Sequence, residues 1–381
     1  MSRLQIDIEK RVPGFDLNVK LQVESEVLVL FGPSGAGKTL TLQMVAGLQT
    51  PDAGEIVLDG EPFFRKHREG QPVSLPARKR GVGYVFQQYL LFPHLNALEN
   101  VAFALKRQPD RHDRALALLD RMQLAHLADR YSHEMSGGQQ QRVAIARALA
   151  AEPRVLLLDE SFSALDAAVR ERLQRDLKAL QVELGLIVLY VTHSLEDAFA
   201  VGHRLAVVRE GRVEQVGPIE DVFRRPASYQ AAEIIGVRNL FQARVVASSA
   251  EGVVLDWDGL LLIAPPQEAT PGDTVTAYAR PEDIKILYPD RPAADVIRQN
   301  HVTGKIRDLR FDASVHVLQV SLGNGHEIEV RFPDFSYRPL SLQPGEHVSL
   351  AVRREGIVIL RPDDARPSEQ LSGRESSGRA S

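Results

Sequence analysis

The chain has 381 residues, of which 44% are apolar and 25% are charged. This length suits roughly two or three domains, and this composition is that of a soluble globular protein. The 46 basic residues nearly balance the 50 acidic residues. That balance disfavours a general nucleic-acid binder, so we expect no nucleic-acid partner. The absence of cysteine excludes a disulfide framework, a zinc finger and a Cys nucleophile.

The sequence contains no segment suited to crossing a membrane. No stretch reaches the roughly 18 consecutive apolar residues that a membrane-spanning helix needs. The N-terminal segment carries several charges and lacks the apolar stretch of a signal peptide. We therefore expect a cytosolic chain, and we expect any membrane role to come through a partner.

Residues 1–236 alternate short apolar runs with longer helical patterns, which predicts an α/β domain with a mainly parallel sheet. The apolar runs predict strands at 26–31, 83–87, 154–158 and 187–192. The helical patterns predict helices at 38–48, 139–151 and 164–185.

The pattern changes near Gly236. Over residues 237–360, short alternating segments are separated by Gly, Pro, Asn and Asp, which predicts an all-β, OB-like barrel domain made of one or two small barrels. A split between two barrels is expected at 289–295. The tail 361–381 is rich in Ser and Arg without an apolar pattern, so we expect it to be disordered.

A phosphate-binding pattern, G-x-x-x-x-G-K-[ST], lies between the first predicted strand and the first predicted helix. Its residues are Gly32, Pro33, Ser34, Gly35, Ala36, Gly37, Lys38 and Thr39. Backbone N–H groups in such a loop converge on phosphate oxygens at the positive end of the helix dipole. Lys38 would reach the β and γ phosphates, and the Thr39 hydroxyl would hold Mg²⁺. A P-loop by itself indicates only a nucleotide, because kinases, GTPases, helicases and transport ATPases share it.

A second apolar strand ends in two acids, Asp159 and Glu160. Asp159 could reach Mg²⁺ directly or through water, and Glu160 could act as general base toward the attacking water. The alternative is a solvated acid pair in a turn, which the P-loop upstream makes less attractive.

A second candidate anion site precedes the helix predicted at 139–151. Its residues are Ser136, Gly137, Gly138 and Gln139, and the backbone N–H groups of Ser136 and Gly138 would face the anion. A single bound nucleotide needs only one phosphate-binding helix N-terminus, and this chain has two. They make sense if the second one closes over the nucleotide of a neighbouring copy.

Together these motifs resemble the ATPase subunit of an ATP-binding cassette (ABC) transporter, over about residues 4–237. Three further segments follow in the family's order. Residues 85–87 resemble the Q-loop, residues 163–166 the D-loop and residues 191–193 the switch histidine. The resemblance implies a P-loop NTPase fold with a helical subdomain, and ATP hydrolysis with Mg²⁺ as cofactor.

The resemblance also implies residue roles. Phe15 would stack on adenine, Gln87 would contact Mg²⁺ or water and sense the membrane partner, and His193 would hold the γ-phosphate and the attacking water. The ATP of the opposite copy would be bound by Ser136, Gly137, Gly138, Gln139 and Asp166. Leu40 belongs to the ATP-binding set by its position. The family has Ser or Thr there, so Leu40 would lose one phosphate contact, worth about 1 kcal/mol. Ser161 replaces the family's usual Pro.

The β-rich region resembles the TOBE/MOP-like extension of bacterial importer ATPases, through residues 238–241, 279–284 and 300–304. The implied partners are a second copy of the chain, transmembrane permease subunits and, indirectly, an extracytoplasmic solute-binding protein. The implied location is the cytoplasmic face of the inner membrane, with peripheral attachment through the permease. The extension could be a spacer or an effector sensor.

The solute expected from residues 14–23 and 31–39 is an oxyanion, because both segments resemble molybdate and sulfate importers; tungstate belongs to the same group. Ferric iron, polyamine and sugar importers are the alternatives. A soluble ABC protein acting on ribosomes or DNA is the rival class. Such proteins usually carry two cassettes or an inserted coiled coil, whereas this chain has one P-loop and no sustained heptads.

Overall fold

The computed structural model describes residues 2–66, 71–105, 108–162, 165–287, 300–312, 314–334 and 342–360. The chain divides into two compact units, Met1–Arg224 and Arg225–Ser381. The boundary predicted at 236/237 therefore lies inside the second unit, after its first helix. The predicted tail 361–381 and the predicted split at 289–295 lie outside the described residues.

The first unit is built on one large sheet. Its strands are β1 (Leu4–Val12), β2 (Phe15–Val23), β3 (Val27–Phe31), β4 (Ala53–Leu58), β5 (Glu61–Lys66), β6 (Val73–Ser74), β7 (Val82–Val85), β8 (Val155–Asp159), β9 (Ile187–Thr192), β10 (Arg204–Arg209) and β11 (Arg212–Pro218). The eleven strands lie in the order β6-β5-β4-β1-β2-β11-β10-β3-β9-β8-β7. The run from β10 to β7 is parallel, whereas β6 to β2 pair antiparallel.

Helices cover the parallel strands, and β3, β8 and β9 are buried along their whole length. This burial explains why these strands read as unbroken apolar runs in the sequence. The helices are α1 (Lys38–Ala46), α2 (Ala97–Ala102), α3 (Arg111–Arg121), α4 (Gly137–Ala150), α5 (Ala167–Leu184), α6 (Leu195–Val201) and α7 (Ile219–Arg224). Helices α2, α3 and α4 pack on one another as a helical subdomain. The predicted strands correspond to β3, β7, β8 and β9, and the predicted helices to α1, α4 and α5.

The second unit begins with α8 (Tyr229–Ile234) and is otherwise a β structure. Its strands are β12 (Leu240–Ser249), β13 (Gly252–Trp257), β14 (Leu260–Ala264), β15 (Thr274–Ala279), β16 (Ile284–Ile286), β17 (His301–Asp312), β18 (Val315–Leu322), β19 (Glu327–Pro333), β20 (His347–Val352) and β21 (Ile357–Ile359). They form two five-stranded sheets in the orders β14-β13-β12-β15-β21 and β16-β20-β17-β18-β19. The expectation of an α/β domain followed by an all-β domain is confirmed.

The two sheets share one core, since a single apolar cluster contains residues of both. Two asparagine side chains also join them. Asn239, before β12, donates to the Glu329 carbonyl at 2.8 Å and accepts from the Glu329 N–H at 2.7 Å. Asn300, before β17, makes the same pair of bonds with Ile263, at 2.9 and 2.6 Å. Both asparagines belong to the segments that carry the sequence resemblance, so these segments have a structural role in closing the β unit.

Candidate active site

The P-loop connects β3 to α1 by a tight turn that needs glycine. A Cβ atom on Gly32 would lie 2.1 Å from the Val208 carbonyl oxygen on β10. Gly35 and Gly37 have φ angles of 81° and 97°, a region that residues with a Cβ rarely adopt. The close approach of two strands and the left-handed turn therefore fix the glycines of this loop, and they leave its backbone N–H groups at the start of α1.

Lys38 is buried, with 5% of its surface exposed. Its ammonium group folds back over the loop and donates to the carbonyl oxygens of Gly32 and Pro33, both at 2.8 Å. Burial lowers the pKa of Lys38, while the nearby carboxylates of Glu160 and Asp159 oppose this shift. The loop thus holds a positive group at the position where phosphate oxygens are expected.

Thr39 and Asp159 bring two oxygen donors together. The Thr39 hydroxyl donates to Asp159 Oδ1 at 2.8 Å, and the Tyr84 hydroxyl donates to Asp159 Oδ2 at 3.0 Å. Burial raises the pKa of Asp159, whereas the bonds from Thr39 and Tyr84 favour the ionised carboxylate. Burial is also the main reason that the pKa of the Tyr84 phenol is raised.

The donor set at this point fits Mg²⁺. Mg²⁺ takes oxygen ligands and usually binds through one or two protein groups together with substrate phosphates and water. A hydroxyl and a carboxylate 2.8 Å apart beside a P-loop match that requirement. Within the described residues no group of three or more His, Asp or Glu side chains could hold a metal on its own.

Glu160 follows β8 in a left-handed conformation, with φ of 44°. Its N–H donates to the Val191 carbonyl of β9 at 3.0 Å. Its carboxylate accepts from Gln87 Nε2 at 3.1 Å and lies 3.5 Å from His193 Nδ1. The three side chains come from the ends of three neighbouring parallel strands, where the carboxyl ends of an α/β sheet form a ligand crevice.

A cleft of about 390 Å³ opens over the P-loop. Phe15 and Glu160 are both among the residues that line it. The cleft is lined by Val12, Pro13, Phe15, Ser34, Gly35, Gly37, Lys38, Thr39, Leu40, Gln43 and Glu160. Phe15 therefore lies next to the P-loop, and its contact with adenine stays a prediction.

The two departures from the family pattern have different surroundings. Leu40 is half-buried, lines the cleft and packs against the core of the first unit. Ser161 is 1% exposed, and within the described part of the chain its hydroxyl has no hydrogen-bond partner. Leu40 thus replaces a polar contact by packing, whereas Ser161 adds a buried polar group.

Ser136 and Asp166 each cap a helix. The Ser136 hydroxyl accepts from the Gln139 N–H at the start of α4, and the Gln139 side chain accepts from the Ser136 N–H in return. Asp166 accepts from the Val169 N–H at the start of α5. Neither residue lies among those that line the P-loop cleft in the described structure. Residues 163–164 of the expected D-loop lie outside the described residues.

The segment after Gln87 is held by groups that the sequence patterns did not indicate. The fully buried Asn100 accepts from the Phe92 N–H and donates to the carbonyls of Phe92, Leu95 and Asn96. Arg147, on α4, donates to the carbonyls of Tyr89 and Leu90.

Tyr84 was also missed as a site residue. A single Tyr within an apolar run carries no signal of its contact with Asp159, which depends on strand register.

Comparison with known proteins gives two family matches. Residues 16–163 match the family described as ABC transporter. Residues 277–360 match the family described as TOBE domain. In the described structure, no helix has the length and apolar character that a membrane span requires.

Curated relatives match over most of the chain. The spermidine/putrescine import ATP-binding protein PotA of Nitrosospira multiformis is 38% identical, over 94% of this chain and 99% of its own length. The sulfate/thiosulfate import ATP-binding protein CysA of Nitrosomonas europaea is 41% identical, over 74% of this chain and 76% of its own. The protein of the same name from Bradyrhizobium diazoefficiens is 39% identical, over 89% and 93%.

Proposed function

The chain belongs to the ABC transporter family as an importer-type ATPase with a C-terminal TOBE domain, and we propose that two copies of it bind ATP between them to power uptake of a small ionic solute. The observation that carries this proposal is the position of Glu160. Its carboxylate lies between Gln87 and His193, beside a P-loop whose Lys38 and Thr39 face the same cleft.

Within one copy, the P-loop N–H groups and Lys38 hold the β and γ phosphates, and Phe15 packs on the adenine. Glu160 takes the proton of the attacking water, and His193 orients that water and the γ-phosphate. Thr39, Gln87 and Asp159 would hold Mg²⁺, which would neutralise charge on the phosphate oxygens. The leaving group is ADP, and the new bond joins the water oxygen to phosphorus.

A second copy completes each site. Ser136, Gly137, Gly138 and Gln139 lie at the start of a helix of 14 residues, at the positive end of its dipole, and Ser136 and Gly137 are exposed. The N–H groups of Ser136 and Gln139, the first of which was expected to face the anion, are engaged in the helix cap within this copy. These residues do not line the P-loop cleft of their own copy in the described structure. We assign them, with Asp166, to the γ-phosphate and P-loop of the partner. ATP then favours the closed pair because it contacts both copies, whereas ADP contacts the second copy less.

Permease subunits are the partners to which closure of the dimer would be transmitted. The segment after Gln87 presents Leu90, which is 51% exposed, and is tied to α4 through Arg147. Movement of α4 on ATP binding would therefore move this segment. We place the chain at the cytoplasmic face of the inner membrane, attached through these permease subunits and served by an extracytoplasmic solute-binding protein.

For the solute we propose an oxyanion, namely sulfate, molybdate or tungstate. The relatives named for sulfate/thiosulfate import support this choice at 41% and 39% identity. A polyamine is the second candidate, because a relative named for spermidine/putrescine import matches 99% of its own length.

Uptake by cells that lack the chain tests the proposal. Labelled sulfate, molybdate, putrescine and spermidine are supplied to deleted cells, to cells carrying the wild-type chain and to cells carrying Lys38→Ala. We expect oxyanion uptake to be lost on deletion and restored by the wild-type chain alone. Loss of polyamine uptake alone would support the second candidate, and unchanged uptake of every solute would contradict an import role for these solutes.

A further inference from the structure

Both oxygens of the Asp159 carboxylate accept a hydrogen bond, and the two donors come from different elements. Thr39, at the start of α1, donates to Oδ1 at 2.8 Å, and Tyr84, on β7, donates to Oδ2 at 3.0 Å. The last torsion of an Asp side chain has a broad minimum, so packing alone fixes the carboxylate plane poorly. The two hydrogen bonds therefore set its orientation.

Strand register brings Tyr84 to Asp159. Strands β7 and β8 are parallel, and Tyr84 lies beside Leu157. Side chains alternate between the two faces of a strand, so Asp159 is the next residue after Leu157 on the same face. The Tyr84 side chain is long enough to reach this diagonal neighbour, as its hydrogen bond to Asp159 shows. The hydroxyl of Tyr84 thus meets Asp159, while its ring stays over the core.

The ring of Tyr84 is itself held in place. It packs against the core cluster of the first unit, and its centroid lies 4.2 Å from the centroid of the Phe86 ring. Thr39, in contrast, is exposed in the cleft, and its hydroxyl oxygen is assigned to Mg²⁺. Binding of Mg²⁺ to that oxygen would alter the hydrogen bond from Thr39 to Oδ1. The bond from Tyr84 lies on the other oxygen and can persist.

We infer that Tyr84 is a positioning residue that holds the Asp159 carboxylate in the orientation needed to bind Mg²⁺ with ATP. This inference rests on the proposed function, because that function assigns Asp159 to the metal. It adds a group outside the P-loop and the acid pair to the metal site. Partners that orient metal ligands typically contribute about 10-fold or more to metal affinity.

The test is metal affinity of the full-length Tyr84→Phe protein, which loses only the hydroxyl. Mn²⁺ binding in the presence of a non-hydrolysable ATP analogue is measured by electron paramagnetic resonance, alongside the Mg²⁺ concentration for half-maximal ATPase. The matched control is Tyr190→Phe, since the buried Tyr190 hydroxyl lies 3.3 Å from Asp197, a carboxylate outside the metal site.

We expect Tyr84→Phe to weaken Mn²⁺ binding about 10-fold. Binding of the analogue without metal should equal that of the wild type, and Tyr190→Phe should keep wild-type metal affinity. Equal metal affinity in Tyr84→Phe and the wild type, or the same loss in both Phe variants, would overturn the inference. An Asp159→Asn protein distinguishes failure of the proposed metal site from failure of the inferred role of Tyr84. If it also keeps full metal affinity, the proposed metal site fails, whereas loss in Asp159→Asn alone rejects only the role of Tyr84.

Discussion

Glu160 combines an unfavourable backbone with a favourable side-chain position. A left-handed conformation at a residue with a Cβ costs about 1 to 3 kcal/mol, and here φ is 44°. The turn directs the carboxylate away from the line of β8 toward Gln87 and His193. Strain of this kind persists where the surrounding structure determines it, and such residues cluster at active sites.

We expect Glu160→Gln to bind ATP normally and to hydrolyse it at least about 100-fold more slowly, because the amide cannot accept the proton of water. ATP binding by equilibrium dialysis and phosphate release measure the two effects. Glu210→Gln is the matched control, since Glu210 is also left-handed, with φ of 46°, but lies outside the site. Turnover near the wild-type rate in Glu160→Gln would show that Glu160 is not the base.

A second residue-scale prediction concerns Asp159, whose pKa is raised by burial. The folded state then holds the proton more tightly than the unfolded state, so the loss of stability grows as pH rises from the ordinary carboxyl pKa to the raised pKa of the folded protein, and it is constant above that. Without nucleotide or metal, Asp159→Asn should therefore melt above the wild type at pH 8. This gain should shrink as pH falls toward the ordinary carboxyl pKa. Thermal denaturation from pH 4 to 8 measures it, and a variant less stable at every pH would contradict the prediction.

At this scale the sequence could predict the residues whose chemistry is tied to a fixed spacing. We selected the P-loop lysine and threonine, the two acids at the end of β8, Gln87 and His193. In the structure Thr39 contacts Asp159, and Glu160 lies beside Gln87 and His193. Tyr84 and Asn100 could not be found in this way. Each acts through a contact set by strand register or by the path of a loop, and the local sequence shows neither.

Helix α4 shows how element packing constrains the second anion site. A Cβ on Gly138 would lie 2.7 Å from Val169 Cγ1 on α5, whereas a Cβ on Gly137 meets nothing within 4 Å. Valine in a helix has essentially one side-chain rotamer, so Val169 cannot easily move aside. The glycine at 138 therefore permits close approach of α4 and α5, while the neighbouring glycine does not serve that purpose.

Gly138→Ala should lower the free energy of unfolding by roughly 1 to 3 kcal/mol, the usual effect of overpacking. Gly137→Ala, one residue away and also in the first turn, should leave it unchanged or slightly raised. Urea denaturation of the two proteins measures the difference. Equal stability of both variants would show that α4 can shift without cost and that the contact with Val169 does not constrain the site.

The predicted elements were those with buried, unbroken apolar runs or long helical patterns. Strands β3, β8 and β9 belong to this class, and each is buried throughout. The antiparallel strands β1 and β2 alternate buried and exposed residues, and their position in the same sheet depends on pairing between distant segments. In the β unit, the bonds of Asn239 and Asn300 across the two sheets likewise depend on long-range pairing that a single sequence does not show.

On the scale of the whole molecule, we propose that one copy holds only part of each nucleotide site. Its cleft contains the P-loop and Glu160, and the residues that line it do not include the described signature residues at 136–139. The order of motifs along the chain predicted both halves of the site. The sequence of one chain could not predict how two copies are arranged, because that arrangement depends on contacts between copies.

The most direct test measures ATP hydrolysis per chain across a dilution series, with the mass of the protein determined by sedimentation at each concentration. A composite site predicts that the rate per chain falls in step with the fraction of paired chains, and that Ser136→Arg removes turnover while leaving ATP binding by single copies. A full rate per chain at concentrations where sedimentation detects only single copies would contradict the account.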